Sequence, residues 1–170
     1  MPFDYEIHDL DLVIKNLNAD DFIQPETRNF FCRLHFGSRY GQPYPKSCAP
    51  VAGKLRLIAK KRGLDPEIAA MAAMLHDLHA YKTGSYDDHA HLSADLAREI
   101  LGELKLTDEA ETDMICSAIY HHDDKLVTDS PMDEVLKDAD VIHHCMNDLS
   151  KAIKEKEQAR YDKLCAEFGM

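Results

Sequence analysis

Apolar residues recur at three- and four-residue steps through most of this chain, and short polar stretches separate one run from the next. That period marks helices with one buried face. Val51, Leu55, Ile58 and Ala59 share a face of a helix predicted over Val51–Arg62, with Lys54, Lys60 and Lys61 turned elsewhere and Gly63 placed as a C-terminal cap. Asp65, Pro66 and Glu67 then supply a capping carboxylate, a first-turn proline and an acid near the positive helix end. The helix they open runs into Ala69–Tyr81, AAMAAMLHDLHAY, whose alanines, methionines and Leu75 favour burial and leave little surface for water.

After a polar loop over Thr83–Asp88, helical spacing returns over His89–Leu104 through Leu92, Leu96, Ile100 and Leu101. Thr107 is the expected cap of the next helix, which has Asp108, Glu109 and Glu111 in its first turn and runs through Met114, Ile115, Ala118 and Ile119 to His121 and His122. Asp123–Asp129 is polar again, and Ser130–Pro131 opens a helix whose Asp133 and Glu134 suit its dipole. Val135, Leu136, Ala139, Val141 and Ile142 lie along it. From Ser150 onward the chain is highly charged, and Ala152, Ile153, Leu164 and Phe168 are the expected contacts of a C-terminal helix packed on one side. Upstream, Ile7, Leu10, Leu12, Val13, Ile14 and Leu17 fit a short amphipathic helix, and Glu26–Phe36 fits another. Gly37–Pro50, with two glycines and three prolines, reads as a loop. No strand emerges. The expected fold is all-α, a single-domain helical bundle over residues 1–170 with short connections.

A length of 170 residues suits one domain with one sizeable core. The formal charge of −11 argues against holding a nucleic-acid polymer through a general positive field. A small anion is still admissible, because a bound cation reverses the local potential. The first residues carry neither a basic region nor a long apolar run, so no signal peptide is expected. No stretch approaches bilayer-spanning length, so no membrane partner is expected either. The five cysteines, Cys32, Cys48, Cys116, Cys145 and Cys165, are scattered without CxxC spacing and read as reduced thiols of a cytoplasmic protein.

The candidate chemistry begins at His76–Asp77, which ends the most apolar run. By itself such a pair is an ordinary exposed helix end. Buried, it would need neutralising, and a divalent cation does that because imidazole and carboxylate are both good ligands. Further ligand types follow on successive predicted helices: His89 with His91 nearby, His121–His122, and Asp140. In this order and wording (AAMLHDLHAY, HAHLSADLAREIL, AIYHHDD, VLKDADVIHH) the chain resembles the HD superfamily of metal-dependent phosphohydrolases over roughly Ser47–Asp148.

The resemblance implies that His76, Asp77 and Asp140 hold a principal metal, and that His89, His121 and His122 bind a second metal or contact the substrate phosphate. It implies catalytic roles for Asp77, His89 and His121. Lys54, Arg56, Lys82, Arg98 and Lys125 are the nearby cations for a phosphate site, although each is by default a solvated surface charge. His79 and His91 are expected at the surface or behind the ligands. His143 and His144 follow Asp140 by about one helical turn, close enough for one to face the site, although the default expectation is that neither does.

The family usually carries a further histidine one helix ahead of the HD pair, and here Ser47 stands at that position, beside Cys48. Cys48 or His35 are the available substitutes. The ligand types admit Mn, Fe, Co, Ni, Zn or Mg. The expected activity is hydrolysis of a nucleotide or other small phosphate ester by metal-activated water. The alternatives are a degenerate HD domain that binds metal or nucleotide without turnover, a helical protein without metal, and di-iron oxidative chemistry. The C-terminal helix is the candidate face of a homodimer.

Overall fold

The computed structural model describes residues 48–147 and 152–169. The helices expected within residues 1–20 and Glu26–Phe36, together with His35, Ser47 and the side chain of Cys48, lie outside the described residues. Among those described, the elements are all helical: α1 (Cys48–Lys61), α2 (Pro66–Leu75), α3 (Leu78–Thr83), α4 (His89–Leu104), α5 (Glu109–His121), α6 (Pro131–Asn147) and α7 (Glu155–Phe168). The all-α expectation holds. The loop expected to reach Pro50 ends sooner, since α1 already begins at Cys48.

Helix α2 is the centre. Every residue from Glu67 to Leu75 is buried, and α1, α4, α5 and α6 all pack against it. Its four alanines let neighbouring backbones approach closely, while Met71, Met74 and Leu75 fill the gaps between them. Each fully buried Leu, Ile or Met side chain in such a core contributes roughly 1.5–3 kcal/mol. Asp65 caps α2 as expected, accepting from the backbone N–H of Glu67 and Ile68. Gly63 takes the left-handed conformation at φ 72° that closes α1.

Three local expectations are corrected. The helix opened at Pro66 does not continue through Tyr81. It stops at Leu75, turns at His76–Asp77 and restarts as the short α3, with Asp77 at φ −107°, ψ 19°. The cap of α5 is Asp108, not Thr107. The Asp108 carboxylate accepts from Glu111 N–H and the Glu111 side chain accepts from Asp108 N–H, which satisfies two helix-end donors reciprocally. Asp108→Ala is expected to cost about 1 kcal/mol, read as a lower urea midpoint at unchanged slope. Finally, Leu92 is 36% exposed, and α4 instead turns Ala90, Ser93, Ala94, Ala97, Ile100 and Leu101 inward. Ser93 faces in because its hydroxyl accepts the His79 backbone N–H at 3.0 Å, tying α4 to α3.

Helix α7 packs along α6, with Leu164 fully buried and Phe168 against the core. Its charged residues clasp the fold. Arg160 donates to the carbonyls of Lys125 and Val127 and to the carboxylates of Glu134 and Asp138. Arg62, just past the end of α1, reaches Asp138 from the other side at 2.7 Å and also pairs with Glu167. Buried Lys137 donates to Val127 O and pairs with Asp129 and Glu134. Among the described residues no helix is long and apolar enough to cross a membrane.

Candidate metal centre

The turn that breaks α2 from α3 puts His76 and Asp77 at the C-terminal end of the central helix, where the last carbonyls have no helical N–H to accept. The His76 ring takes up one of them, its Nδ1 lying 2.8 Å from Ala73 O. The same three-residue reach recurs twice. His122, the C-cap of α5, places Nδ1 2.7 Å from Ile119 O. His89, at the start of α4, places Nδ1 2.9 Å from Tyr86 O. The loop ahead of His89 is shaped for this, with Asp88 in the left-handed region at φ 53°, a conformation Asp tolerates better than most residues. Each Nδ1 therefore carries the hydrogen it donates, and each Nε2 is left as a lone-pair donor.

These Nε2 atoms converge on Asp77. Its Oδ2 lies 3.2 Å from His76 Nε2, and its Oδ1 lies 3.5 Å from both His89 Nε2 and His122 Nε2. Asp140, on α6, brings Oδ1 to 4.0 Å from His76 Nε2. Asp140 is 6% exposed and so is not the solvated acid its charged neighbours suggest. Lys125, in the loop after α5, is buried as well, and its ammonium donates to Asp140 Oδ2 at 2.7 Å.

The electrostatics follow from this packing. Burial opposes charge on His76, but Asp77 and then Asp140 outweigh it, with the Ala73 carbonyl adding to them, and the pKa rises to about 9. The proton this favours on Nε2 points where a metal would bind, so the two exclude one another. Burial pushes the Asp77 carboxyl up, yet the charge on His76, with His122 close by, holds it far below the usual carboxylate range. Asp140 is likewise driven up by burial and pulled well down by Lys125 and His76. Burial keeps His122 towards its neutral form, although a helix C-terminus favours imidazolium.

The donor set fits a divalent cation. The ligand atoms of His76, Asp77 and His122 all lie within 4.8 Å of one another. The Nε2 atoms of His89 and His122 are 3.2 Å apart, and with both Nδ1 hydrogens committed they face each other as lone pairs. A bound cation relieves that repulsion.

Of the expected ligands, His76, Asp77, His89, His122 and Asp140 are brought together. His121 is not seen with them. It contacts Ser117 and Asp133, with Nδ1 3.1 Å from Asp133 Oδ2, because adjacent helical residues point about 100° apart. The sequence held the signal: His122, not His121, continues the buried stripe of Ile115, Ala118 and Ile119. His91 is half-exposed, paired with Asp88 and stacked on Tyr120. Among the candidate cations, Lys125 is at the site. Arg98 pairs with Asp113 at the surface, and Lys54 lies 3.4 Å from His143. His144 turns towards Asp140, with Nε2 3.4 Å from Oδ1, against the default expectation.

Residues 48–145 match the family model described as HD domain. The chain belongs to the HD domain family. Among curated relatives, this HD domain is 32% identical over 111 residues to Ribonuclease Y of Cutibacterium acnes, covering 64% of this chain and 19% of that protein. It is 28% identical over 110 residues to Ribonuclease Y of Opitutus terrae, with the same two shares. The chain thus spans only 19% of the length of these relatives. A solved structure described as a predicted HD superfamily hydrolase from an uncultured Thermotogales bacterium matches 94% of both chains with a TM-score of 0.52 and 21% identity, a likeness of fold.

Proposed function

We propose that this HD domain is a cytoplasmic, metal-dependent phosphohydrolase acting on a nucleotide or another small phosphate ester. The observation that carries the reading is the convergence of three imidazole Nε2 atoms, each with its Nδ1 held by a backbone carbonyl, on the two oxygens of Asp77, with Asp140 beside them. His76, Asp77 and Asp140 would hold one divalent ion, and His89 and His122 with the other Asp77 oxygen would hold a second ion or the phosphate.

A bound ion of this kind supplies hydroxide near neutral pH and offsets charge on a phosphoryl oxygen. Asp77 stays ionised beside His76 and His122, and as a ligand it would orient the attacking water by accepting its hydrogen bond. Lys125 neutralises one of the two carboxylates, which lowers the repulsion an anionic substrate meets. The name of the Ribonuclease Y relatives puts phosphodiesters among the substrates to try.

The test is hydrolysis by chelator-stripped protein resupplied in turn with Mn, Fe, Co, Ni, Zn and Mg, on a panel of nucleoside phosphates, a dinucleotide, a short RNA and simple phosphate esters. The expected result is product formation that returns with at least one metal and is abolished by chelator. Metal-dependent thermal stabilisation without product on any member would replace this reading with the binding-only one.

A further inference from the structure

His144 stands one turn beyond Asp140 on α6 and is oriented from both ends. Its Nδ1 lies 3.2 Å from Glu157 Oε1, and its Nε2 lies 3.4 Å from Asp140 Oδ1. Glu157 comes from α7 and is 1% exposed. A carboxylate so deeply buried needs a partner, and apart from His144 it has Lys154 at 3.3 Å. This repeats, with a side-chain acceptor, what carbonyls do for His76, His89 and His122. Nδ1 donates outward, and the Nε2 lone pair is turned to the site. A carboxylate behind an imidazole is a common support for metal-ligating histidines.

The spacing agrees. In an octahedral shell, ligands about 2.1 Å from the ion lie about 3.0 Å apart when adjacent and about 4.2 Å apart when opposite. His76 Nε2 to Asp77 Oδ2 is 3.2 Å, His76 Nε2 to Asp140 Oδ1 is 4.0 Å and Asp140 Oδ1 to His144 Nε2 is 3.4 Å. We propose that His144 is a further protein ligand of the metal held by His76, Asp77 and Asp140, with Glu157 as its positioning residue. The proposal rests on the metal-dependent reading above. The competing account is an imidazolium that bridges Asp140 and Glu157 as a plain ion pair. His143 provides an internal control, since it turns to Lys54 instead.

The experiment loads the chelator-stripped full chain with Co2+ and records both affinity and the proton spectrum in water. Each imidazole bound through Nε2 contributes one exchangeable Nδ1–H line shifted by the paramagnetic ion. His144→Gln is expected to lose one such line and to weaken Co2+ binding about tenfold or more. The conservative Glu157→Gln is expected to keep the line, displace it, and weaken binding 10- to 100-fold, roughly as for other supports of metal ligands. His143→Gln is expected to change neither readout. The His144 side chain is 41% exposed, so its variant should fold, and a thermal melt checks this. A His144→Gln protein that keeps every shifted line and binds Co2+ within twofold of the parent overturns the proposal and leaves the proposed function standing. Failure of the parent chain to bind Co2+ or any of the other five metals overturns both.

Discussion

Asp77→Asn is expected to abolish metal uptake and hydrolysis together, with turnover falling about a thousandfold, or roughly 4 kcal/mol of transition-state stabilisation. The reason is positional. Asp77 is the residue whose two oxygens address both histidine groups, Oδ2 towards His76 and Oδ1 towards His89 and His122. Asparagine keeps the shape and one acceptor but removes the charge and turns an amide donor towards one of these groups. In chelator the variant should melt somewhat below the parent, because buried His76 loses the carboxylate that favours its charge. With metal at about a hundred times its Kd, the parent alone should gain about 2.7 kcal/mol. A variant that retains stoichiometric metal and turnover would remove Asp77 from the role assigned to it.

The second large effect is on stability and lies at the other end of α6. Arg160 is 11% exposed at its side chain and pairs with Glu134 at 2.7 Å and Asp138 at 3.0 Å. It also donates to Lys125 O at 2.6 Å and Val127 O at 2.8 Å. Arg160→Met strips one cation from two carboxylates and leaves the Lys125 carbonyl to find a new donor, while Val127 O keeps Lys137. The expected loss is about 3 kcal/mol, the low end for breaking a buried pair, because Arg62 still reaches Asp138 and some solvent is at hand. Arg160→Lys restores charge without the planar fork and should recover only part of it. Urea midpoints at constant slope measure both variants. A loss below 1 kcal/mol for methionine would show that the cluster is already balanced without Arg160.

Much of this was legible from residue spacing. The α1 face, the Asp65–Pro66 opening of α2, the first-turn acids of α5 and α6 and the burial of Leu164 all appear as read. The break after Leu75 was not legible, because AAMAAMLHDLHAY has no glycine or proline to stop a helix. The turn is made instead by tertiary contacts, the His76 ring on Ala73 O and the Ser93 hydroxyl on His79 N–H. Leu92 was misjudged because α4 buries small residues where the pattern offered a large one.

At the site, resemblance supplied His76, Asp77, His89, His122 and Asp140, and the structure brings all five together. Lys125 carried no usable signal. It sits in a polar loop where periodicity says nothing, and only the packing of α7 over that loop shows that it is buried. The i, i+4 step from Asp140 did point to His144, but i, i+3 pointed equally to His143. Glu157, thirteen residues on and across a helix boundary, is what breaks the tie.

The part of the chain recognisable from its family ends at Cys145, ahead of the helix that carries Glu157, Arg160 and Leu164. A fragment trimmed to the recognisable segment would leave Asp138 and Glu134 short of a counter-charge, open a hole where Leu164 sits, and release the loop that aims Lys125 at Asp140. The smallest self-sufficient unit is therefore longer than its hallmark residues suggest, and excising the hallmark alone would sacrifice the ligand geometry it was meant to isolate.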